Sequence, residues 1–270
     1  MAASRRKPKG PKDAKRGRPG GGRSGGARSR SGLQPVVAVF ARVPQAGRVK
    51  TRLTPFLRAR EAADLSEALL RDTLDIAEGT GAETVVAFTP LTGRRALERL
   101  LGRRRRLIPQ GPGDLGDRLA RVTGQLLPDR AHPSVLVIGS DCPALSAARL
   151  GEANDALAGA DVVLGPALDG GYYLVGLKAE HPEIFANIPW STDRVLEATR
   201  QRIEERGLSL ALLDPARDLD TPEDLFEWYA GALAENLRER YPRTWRVLHA
   251  ILPPRRFSDL EAALTENARA

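Results

Sequence analysis

The stretch Ala41–Leu53, ARVPQAGRVKTRL, gathers Arg42, Arg48, Lys50 and Arg52 around Gly47 directly after the apolar run Val36–Phe40. Cations in a turn at the carboxyl end of a buried strand can receive phosphate oxygens, because guanidinium forks and backbone donors match their geometry. Arg42, Lys50 and Arg52 share even spacing and can converge on one ligand, while Arg48 is as well suited to face solvent. The plain alternative is a set of ordinary surface charges. A phosphate-loop NTPase needs Gly-Lys-Ser/Thr in immediate sequence, and Arg48 and Val49 separate Gly47 from Lys50. This first turn also carries no G-x-G-x-x-G, so a Rossmann dinucleotide site is not expected there.

Two later strand ends add to the pattern. QGPGDLGDR, from Gln110 to Arg118, has glycines at Gly111, Gly113 and Gly116 that permit close backbone approach, and Asp114 can accept hydrogen bonds from a base or ribose. VLVIGSDCP places Asp141 immediately beyond an apolar run. A carboxylate there faces the same crevice as the cationic turn, as a Mg²⁺ or Mn²⁺ ion shared with phosphate oxygens requires, although Asp141 is also placed to cap a helix near Ser146. Farther on, Asp169 precedes Gly170 and Gly171, which let backbone approach a ligand. One of Tyr172 and Tyr173 must face away from the other in a strand, so only one lines a pocket. Tyr172 with Trp190, Ser191 and Thr192 offers an aromatic face and hydroxyls to a polar acceptor, and core packing suits Trp190 equally. Asp169 can serve as a general base or a further metal ligand.

These motifs must be held by something, and the chain between them supplies it. Short apolar runs at Val36–Phe40, Thr84–Thr89, Leu107–Pro109, Val135–Gly139, Asp161–Gly165, Tyr172–Leu177 and Leu210–Leu213 read as buried strands. Helical patterns separate them at 60–78, 93–101, 116–127, 146–157, 192–205 and 222–237. Alternation of the two predicts an α/β protein, a three-layer α/β/α sandwich with a mostly parallel sheet whose ligands sit beyond the carboxyl ends of the strands. Residues 241–270, with a Pro253-Pro254 break, read as a C-terminal helical appendage to a domain spanning 35–240.

Composition bounds the possibilities further. Met1–Gln34 holds eleven Lys or Arg against the single acid Asp13; removing these from the 42 basic and 34 acidic residues of the chain leaves 31 and 33. The body is therefore slightly acidic, and the tail is a disordered basic arm suited to weak nucleic-acid contact. One cysteine, Cys142, excludes internal disulfides and fits a reducing, cytoplasmic setting. His132, His181 and His249 are scattered, so any metal is held by oxygen. No apolar run reaches the ~20 residues of a membrane span.

VFARVPQAGRVKTRL, QGPGDLGDRL, IGSDCPAL, LGPALDGGYYLVGL, IPWST and LDTPEDL occur in that order. Over Val36–Tyr229 the chain thereby resembles bacterial transferases of the glycosyltransferase-A, nucleotide-diphospho-sugar transferase fold, of the arsenosugar-biosynthesis type and related to 2-phospho-lactate guanylyltransferase. The resemblance implies that Arg42, Lys50 and Arg52 clamp nucleotide phosphates, that Asp141 is the first metal ligand, and that Asp220 supplies a second. Asp220 or Thr221 ahead of Pro222 is also a good helix N-cap. Two reactions follow. A metal-dependent glycosyltransferase using a nucleotide sugar and a small acceptor is the first expectation; a nucleotidyltransferase acting on a nucleoside triphosphate with release of pyrophosphate is the alternative. A nucleic-acid-binding protein working through its tail is a remote third.

Overall fold

A computed structural model describes residue 1 and residues 34–54, 56–127, 132–230 and 234–267. Apart from its two ends, the basic tail lies outside the described residues. The seven anticipated strands form, as β1 (Val36–Arg42), β2 (Glu83–Thr89), β3 (Arg106–Pro109), β4 (Val135–Gly139), β5 (Val162–Pro166), β6 (Tyr172–Leu177) and β7 (Leu210–Leu212). They build one sheet in the order β3-β2-β1-β4-β6-β5-β7. Only β6 runs against its neighbours. The short link 167–171 between β5 and β6 explains this, because a parallel return needs a crossover of a dozen or more residues.

Alternate residues of each strand enter opposite layers. Val37 and Val39 face Leu70 and Leu74 of α1 (Ala59–Gly79), Leu97 of α2 (Arg94–Leu101) and, after β4, Leu150 of α4 (Ala147–Ala156). Val36 and Ala38 share the other face with Leu119 and Val122 of α3 (Leu115–Leu126) and Ile203 of α5 (Val195–Glu205). The three-layer sandwich is therefore present, with apolar surface on both sides of the sheet, as its unbroken apolar strands require. Strand order reverses between β1 and β4, which makes the crevice beyond Phe40 and Gly139, paired in register, the topological switch point.

Within the helix anticipated over 222–237, residues 231–233 lie outside the described residues, and α6 (Pro222–Ala230) and the start of α7 (Ala234–Arg240) are helical. They continue into α8 (Pro242–Ile251) and α9 (Pro254–Asn267), separated at the Pro253-Pro254 pair. These helices join a third apolar cluster in which Leu237, Tyr241 and Leu248 pack with Leu65 and Leu69 of α1 and with Leu53 and Leu57 of the loop after β1. Helix α1 is thus apolar on two faces, one against the sheet and one against the C-terminal helices.

A polar contact fixes that packing. Asp72 on α1 is 1% exposed and caps the start of α8. Its carboxylate accepts from Thr244 N at 2.8 Å, Thr244 Oγ1 at 2.9 Å and Arg243 Nη1 at 3.0 Å. Removing one partner from such a buried network leaves donors unsatisfied. Asp72→Ala should lower stability by about 3 kcal/mol and the unfolding midpoint by roughly 6–12 °C, read by thermal unfolding.

Candidate active site

The loop after β1 is held at both ends by apolar side chains. Val49 and Leu53 are buried, and Leu53 N donates to Lys50 O to close a 3-10 turn over Thr51–Leu53. Lys50 itself adopts the left-handed conformation, φ 48° and ψ 40°, a strained state for a residue with a Cβ. That kink turns its side chain into the crevice, where it is 7% exposed and its ammonium group donates to Asp220 Oδ1 at 2.6 Å and Asp141 Oδ2 at 3.2 Å.

The two carboxylates come from segments tied to one another by backbone. Leu219 N donates to Asp141 O at 2.8 Å. Leu219 is buried, so Asp218 and Asp220 on either side of it are both turned toward the crevice. Neither aspartate is taken up in capping; of the two caps anticipated before Pro222, Thr221 is the one that forms. Ser146 caps α4 by accepting from Arg149 N, which leaves Asp141 free of that duty. At α6, Thr221 Oγ1 accepts from Asp224 N while Asp224 Oδ2 accepts from Thr221 N, a capping box that excludes the Asp220 carboxylate.

The electrostatics of this cluster follow from burial against charge. Burial opposes ionisation of Lys50, but Asp141 and Asp220 overcome it and raise its pKa. Burial likewise disfavours the Asp220 carboxylate, and the Lys50 ammonium overrides that and holds its pKa below the usual range. Asp218 goes the other way. Burial, reinforced by the charges of Asp141, Asp220 and Asp169, pushes it well above the usual carboxylate range despite Lys50. Its Oδ1 is sealed from solvent and has no hydrogen-bond partner among the described residues. Sequence reasoning missed Asp218; the signal was the Asp-Leu-Asp alternation around an apolar pin.

Cavities flank the Lys50 bridge. One of about 210 Å³ is lined by Arg42, Arg48, Lys50, Thr51, Asp141 and Asp220. The other, about 350 Å³, is lined by Arg52, Asp169, Gly171, Tyr172, Trp190, Ser191, Thr192, Asp193, Asp218 and Asp220 among others. Asp220 therefore borders both. Arg52, grouped by even spacing with Arg42 and Lys50, lies on the second cavity and 3.9 Å from Asp220. Even spacing brings side chains together in an extended strand, and the turn at Thr51–Leu53 breaks that rule. Gly47 forms the exposed apex of the loop with φ +73°.

Other anticipated contacts are taken by the fold. Gln110 is buried and its amide donates to Ala87 O at 2.8 Å. Asp114 caps α3, accepting from Asp117 N at 2.9 Å. Gly111–Gly116 does spell G-x-G-x-x-G, one strand later than the first turn and passed over in the sequence reading. It follows the edge strand β3 and not the switch point, and its glycines meet protein groups. A Cβ would lie 2.5 Å from the Arg121 guanidinium at Gly111, 2.2 Å from Asp117 Oδ2 at Gly113 and 2.3 Å from Phe185 O at Gly116. Arg121, also unforeseen, ties this loop down through Gln110 O at 2.6 Å and Pro112 O at 3.0 Å.

Of the two tyrosines only Tyr172 lines the larger cavity, although both border a smaller one beside it. Tyr172 faces the larger cavity and meets Trp190 edge to face at 6.3 Å, while Tyr173 is buried and donates to Asp214 O. Thr192 does not begin α5; its hydroxyl donates to Pro189 O at 2.7 Å and shapes the loop before the helix starts at Val195. Asp169 Oδ1 accepts from Gly171 N at 3.0 Å, and Gly170 packs on the Asp193 backbone.

With this geometry in place, likeness to known proteins can be placed on it. A family model described as "Uncharacterized protein conserved in bacteria (DUF2064)" matches residues 73–192. The chain is 31% identical over 196 residues to 3-phospho-D-glycerate guanylyltransferase of Phenylobacterium zucineum, covering 70% of this chain and 88% of that protein. It is 30% identical over 190 residues to 2-phospho-L-lactate guanylyltransferase of Haloferax volcanii, covering 68% and 82%. The chain belongs to the family of these two guanylyltransferases and is a transferase. A crystal structure from Desulfovibrio desulfuricans G20, assigned to the nucleotide-diphospho-sugar transferases, superposes with a TM-score of 0.69 at 25% identity, over 79% of this chain and 97% of that one. The fold expectation is met. The order of the two reactions is not: both curated relatives transfer a guanylyl group, which favours nucleotidyl over glycosyl transfer, and neither bears out the arsenosugar-type label. No helix among the described residues is long and apolar enough to cross a membrane.

Gly170 has φ +89°, and an added Cβ would stand 2.1 Å from Asp193 O. Gly170→Ala should therefore push the Asp193 loop off the cavity and cost about 2–3 kcal/mol, seen as a lower unfolding midpoint without loss of the far-UV circular dichroism spectrum.

Proposed function

We propose that this protein is a nucleotidyltransferase that moves a nucleoside monophosphate, GMP as in its two curated relatives, from the triphosphate to the phosphate of a small phosphorylated hydroxy acid, releasing pyrophosphate. The observation that carries this reading is the Lys50 bridge, which stands between a cation-lined cavity and a second, aromatic-walled one. Arg42, Arg48 and Lys50 suit the triphosphate. Arg52, on the other cavity, suits the acceptor's anionic group.

In this reaction an acceptor phosphate oxygen forms a bond to the α-phosphorus while the bond to the bridging oxygen of the pyrophosphate breaks. Negative charge grows on the leaving pyrophosphate, and fixed cations counter it. A unit charge about 4 Å away at an effective dielectric near 20 contributes on the order of 4 kcal/mol, or roughly a thousandfold in rate. The acceptor phosphate is already an anion and needs no base. Asp169 is thereby released from the general-base role and acts through the loop it holds at Gly171.

A divalent cation fits the donor set. Carboxylates outnumber the one guanidinium in the larger cavity, so a phosphorylated acid enters against repulsion unless a cation offsets it. Asp141, Asp218 and Asp220 would hold Mg²⁺ or Mn²⁺, Asp218 Oδ1 having no partner among the described residues. Among the described residues no three such groups stand close enough to form a site without adjustment, as Lys50 occupies the space between Asp141 and Asp220. When bound, the ion supplies charge neutralisation at phosphate oxygens.

Glycosyl transfer keeps one observation in its favour, the Tyr172–Trp190 lip, which suits a sugar-like acceptor. A panel of triphosphates and nucleotide sugars with Mg²⁺ separates the two. Pyrophosphate release from GTP with 2-phospholactate or 3-phosphoglycerate is the expected outcome; stabilisation by nucleotide sugars alone, with no pyrophosphate from any triphosphate, overturns it. Lys50→Met should lower kcat/KM by about a thousandfold, assayed below its own unfolding midpoint.

A further inference from the structure

Behind the larger cavity lies a chamber of about 110 Å³, under the first turn of α3 and between β1, β4 and β6. Phe40, Leu115, Leu119, Val137, Tyr172 and Leu174 form its walls. None of its lining side chains is charged. Its two tyrosine hydroxyls are directed elsewhere, Tyr173 Oη to Asp214 O and Tyr172 Oη into a sealed position. The chamber and the larger cavity share Leu115 and Tyr172, so the two adjoin at those side chains. Leu115, 42% exposed, stands at that junction.

A purine does not suit this space, since its polar edges would be buried against carbon without partners. A hydrocarbon group does. At ~30 Å³ for a water-sized group, the volume holds about three or four carbons. We infer that the acceptor is a phosphorylated 2-hydroxy acid bearing an apolar side chain of about two to four carbons, which enters this chamber while the phosphate and carboxylate remain beside Arg52. The inference rests on the nucleotidyl-transfer reading for the identity of the head group, and the chamber adds what the relatives' names do not carry, a preference for alkyl over the hydroxymethyl group of a glycerate.

The test is a set of synthetic 2-hydroxy acids phosphorylated on the 2-hydroxyl, whose side chain is hydrogen, methyl, hydroxymethyl, ethyl or isopropyl. Binding to the full chain is measured by calorimetry with Mg²⁺, and pyrophosphate release is followed with GTP in parallel. The dissociation constant should fall about fourfold per added carbon, and ethyl should bind at least about tenfold more tightly than the near-isosteric hydroxymethyl, whose hydroxyl would be buried unpaired. Leu115→Phe, at an exposed position that tolerates bulk, should bring the ethyl-to-hydroxymethyl ratio toward one; Leu115→Ala should move the optimum to a larger group. Equal or tighter binding of the hydroxymethyl acid, a ratio unchanged in Leu115→Phe, or no binding by any member overturns the inference. Binding that follows the alkyl series without any pyrophosphate overturns nucleotidyl transfer and leaves the chamber standing, whereas pyrophosphate release across a flat series does the reverse.

Discussion

One ammonium group between two carboxylates organises the functional half of this molecule. Lys50, Asp141 and Asp220 are far apart in sequence and each arrives on a separate loop, so the bridge forms only once the sheet and its C-terminal helices are assembled. Bringing the three charges out of water is unfavourable, and the mutual attraction offsets this only when the geometry is held. That geometry has apolar anchors beside each charge: Val49 and Leu53 flank Lys50, Cys142 follows Asp141, and Leu219 precedes Asp220, all buried. Leu53 and Leu219 also belong to the cluster built by the C-terminal helices. Tyr241, at the head of α8, reaches back to donate to Cys142 O at 3.0 Å. The segment that reads from sequence as an addition to the domain is thus in contact with the loops that carry the charges.

The strands were legible because buried parallel strands are continuous apolar runs, and the one antiparallel strand differs in direction without differing in pattern. What the sequence could not convey was where side chains go once the chain leaves a strand. Arg52 was grouped with Arg42 and Lys50 by a two-residue period, yet the turn that starts at Thr51 sends it to the opposite cavity. Asp114 and Gln110 stand in a loop rich in glycine, where polar groups invite a ligand reading; the backbone groups of α3 and of β2, respectively, claim them first. Asp218 was hidden for another reason: its neighbour Asp220 already satisfied the motif, and only burial beside Leu219 reveals its unpartnered carboxylate oxygen. Backbone satisfaction is a nearly complete accounting in folded proteins, and a polar side chain near a helix start should be offered to the helix before it is offered to a substrate.

The G-x-G-x-x-G run makes the point sharply. Its spelling matches a dinucleotide loop, and it even lies between a strand and a helix. Position decides against that role. The fingerprint works at a switch point, where adjacent loops diverge and leave a crevice for pyrophosphate, whereas β3 is at the edge of the sheet. Here the glycines make room for Arg121, Asp117 and the Phe185 backbone, which brings α3 close to the Trp190 loop. In the proposed reaction the phosphate-binding duty falls instead to side-chain cations on the loop after β1, which does stand at the switch point.

The charge pattern across the Lys50 bridge then constrains the chemistry more than any single residue does. A polyphosphate is welcomed on the side of Arg42 and Arg48 and opposed on the side of Asp169, Asp193 and Asp218. In the proposed reaction two anionic substrates meet at one phosphorus, and they cannot both approach through cations of the protein alone when Arg42, Arg48 and Lys50 stand on one side and Arg52 on the other. A mobile cation is the natural complement. It would enter with the nucleotide, relieve the repulsion between Asp141, Asp218 and Asp220, and let an acidic cavity accept an acid. On this reading the strain in Lys50 and the raised pKa of Asp218 have one origin, a cluster of oxygen donors whose charge the protein itself only partly neutralises.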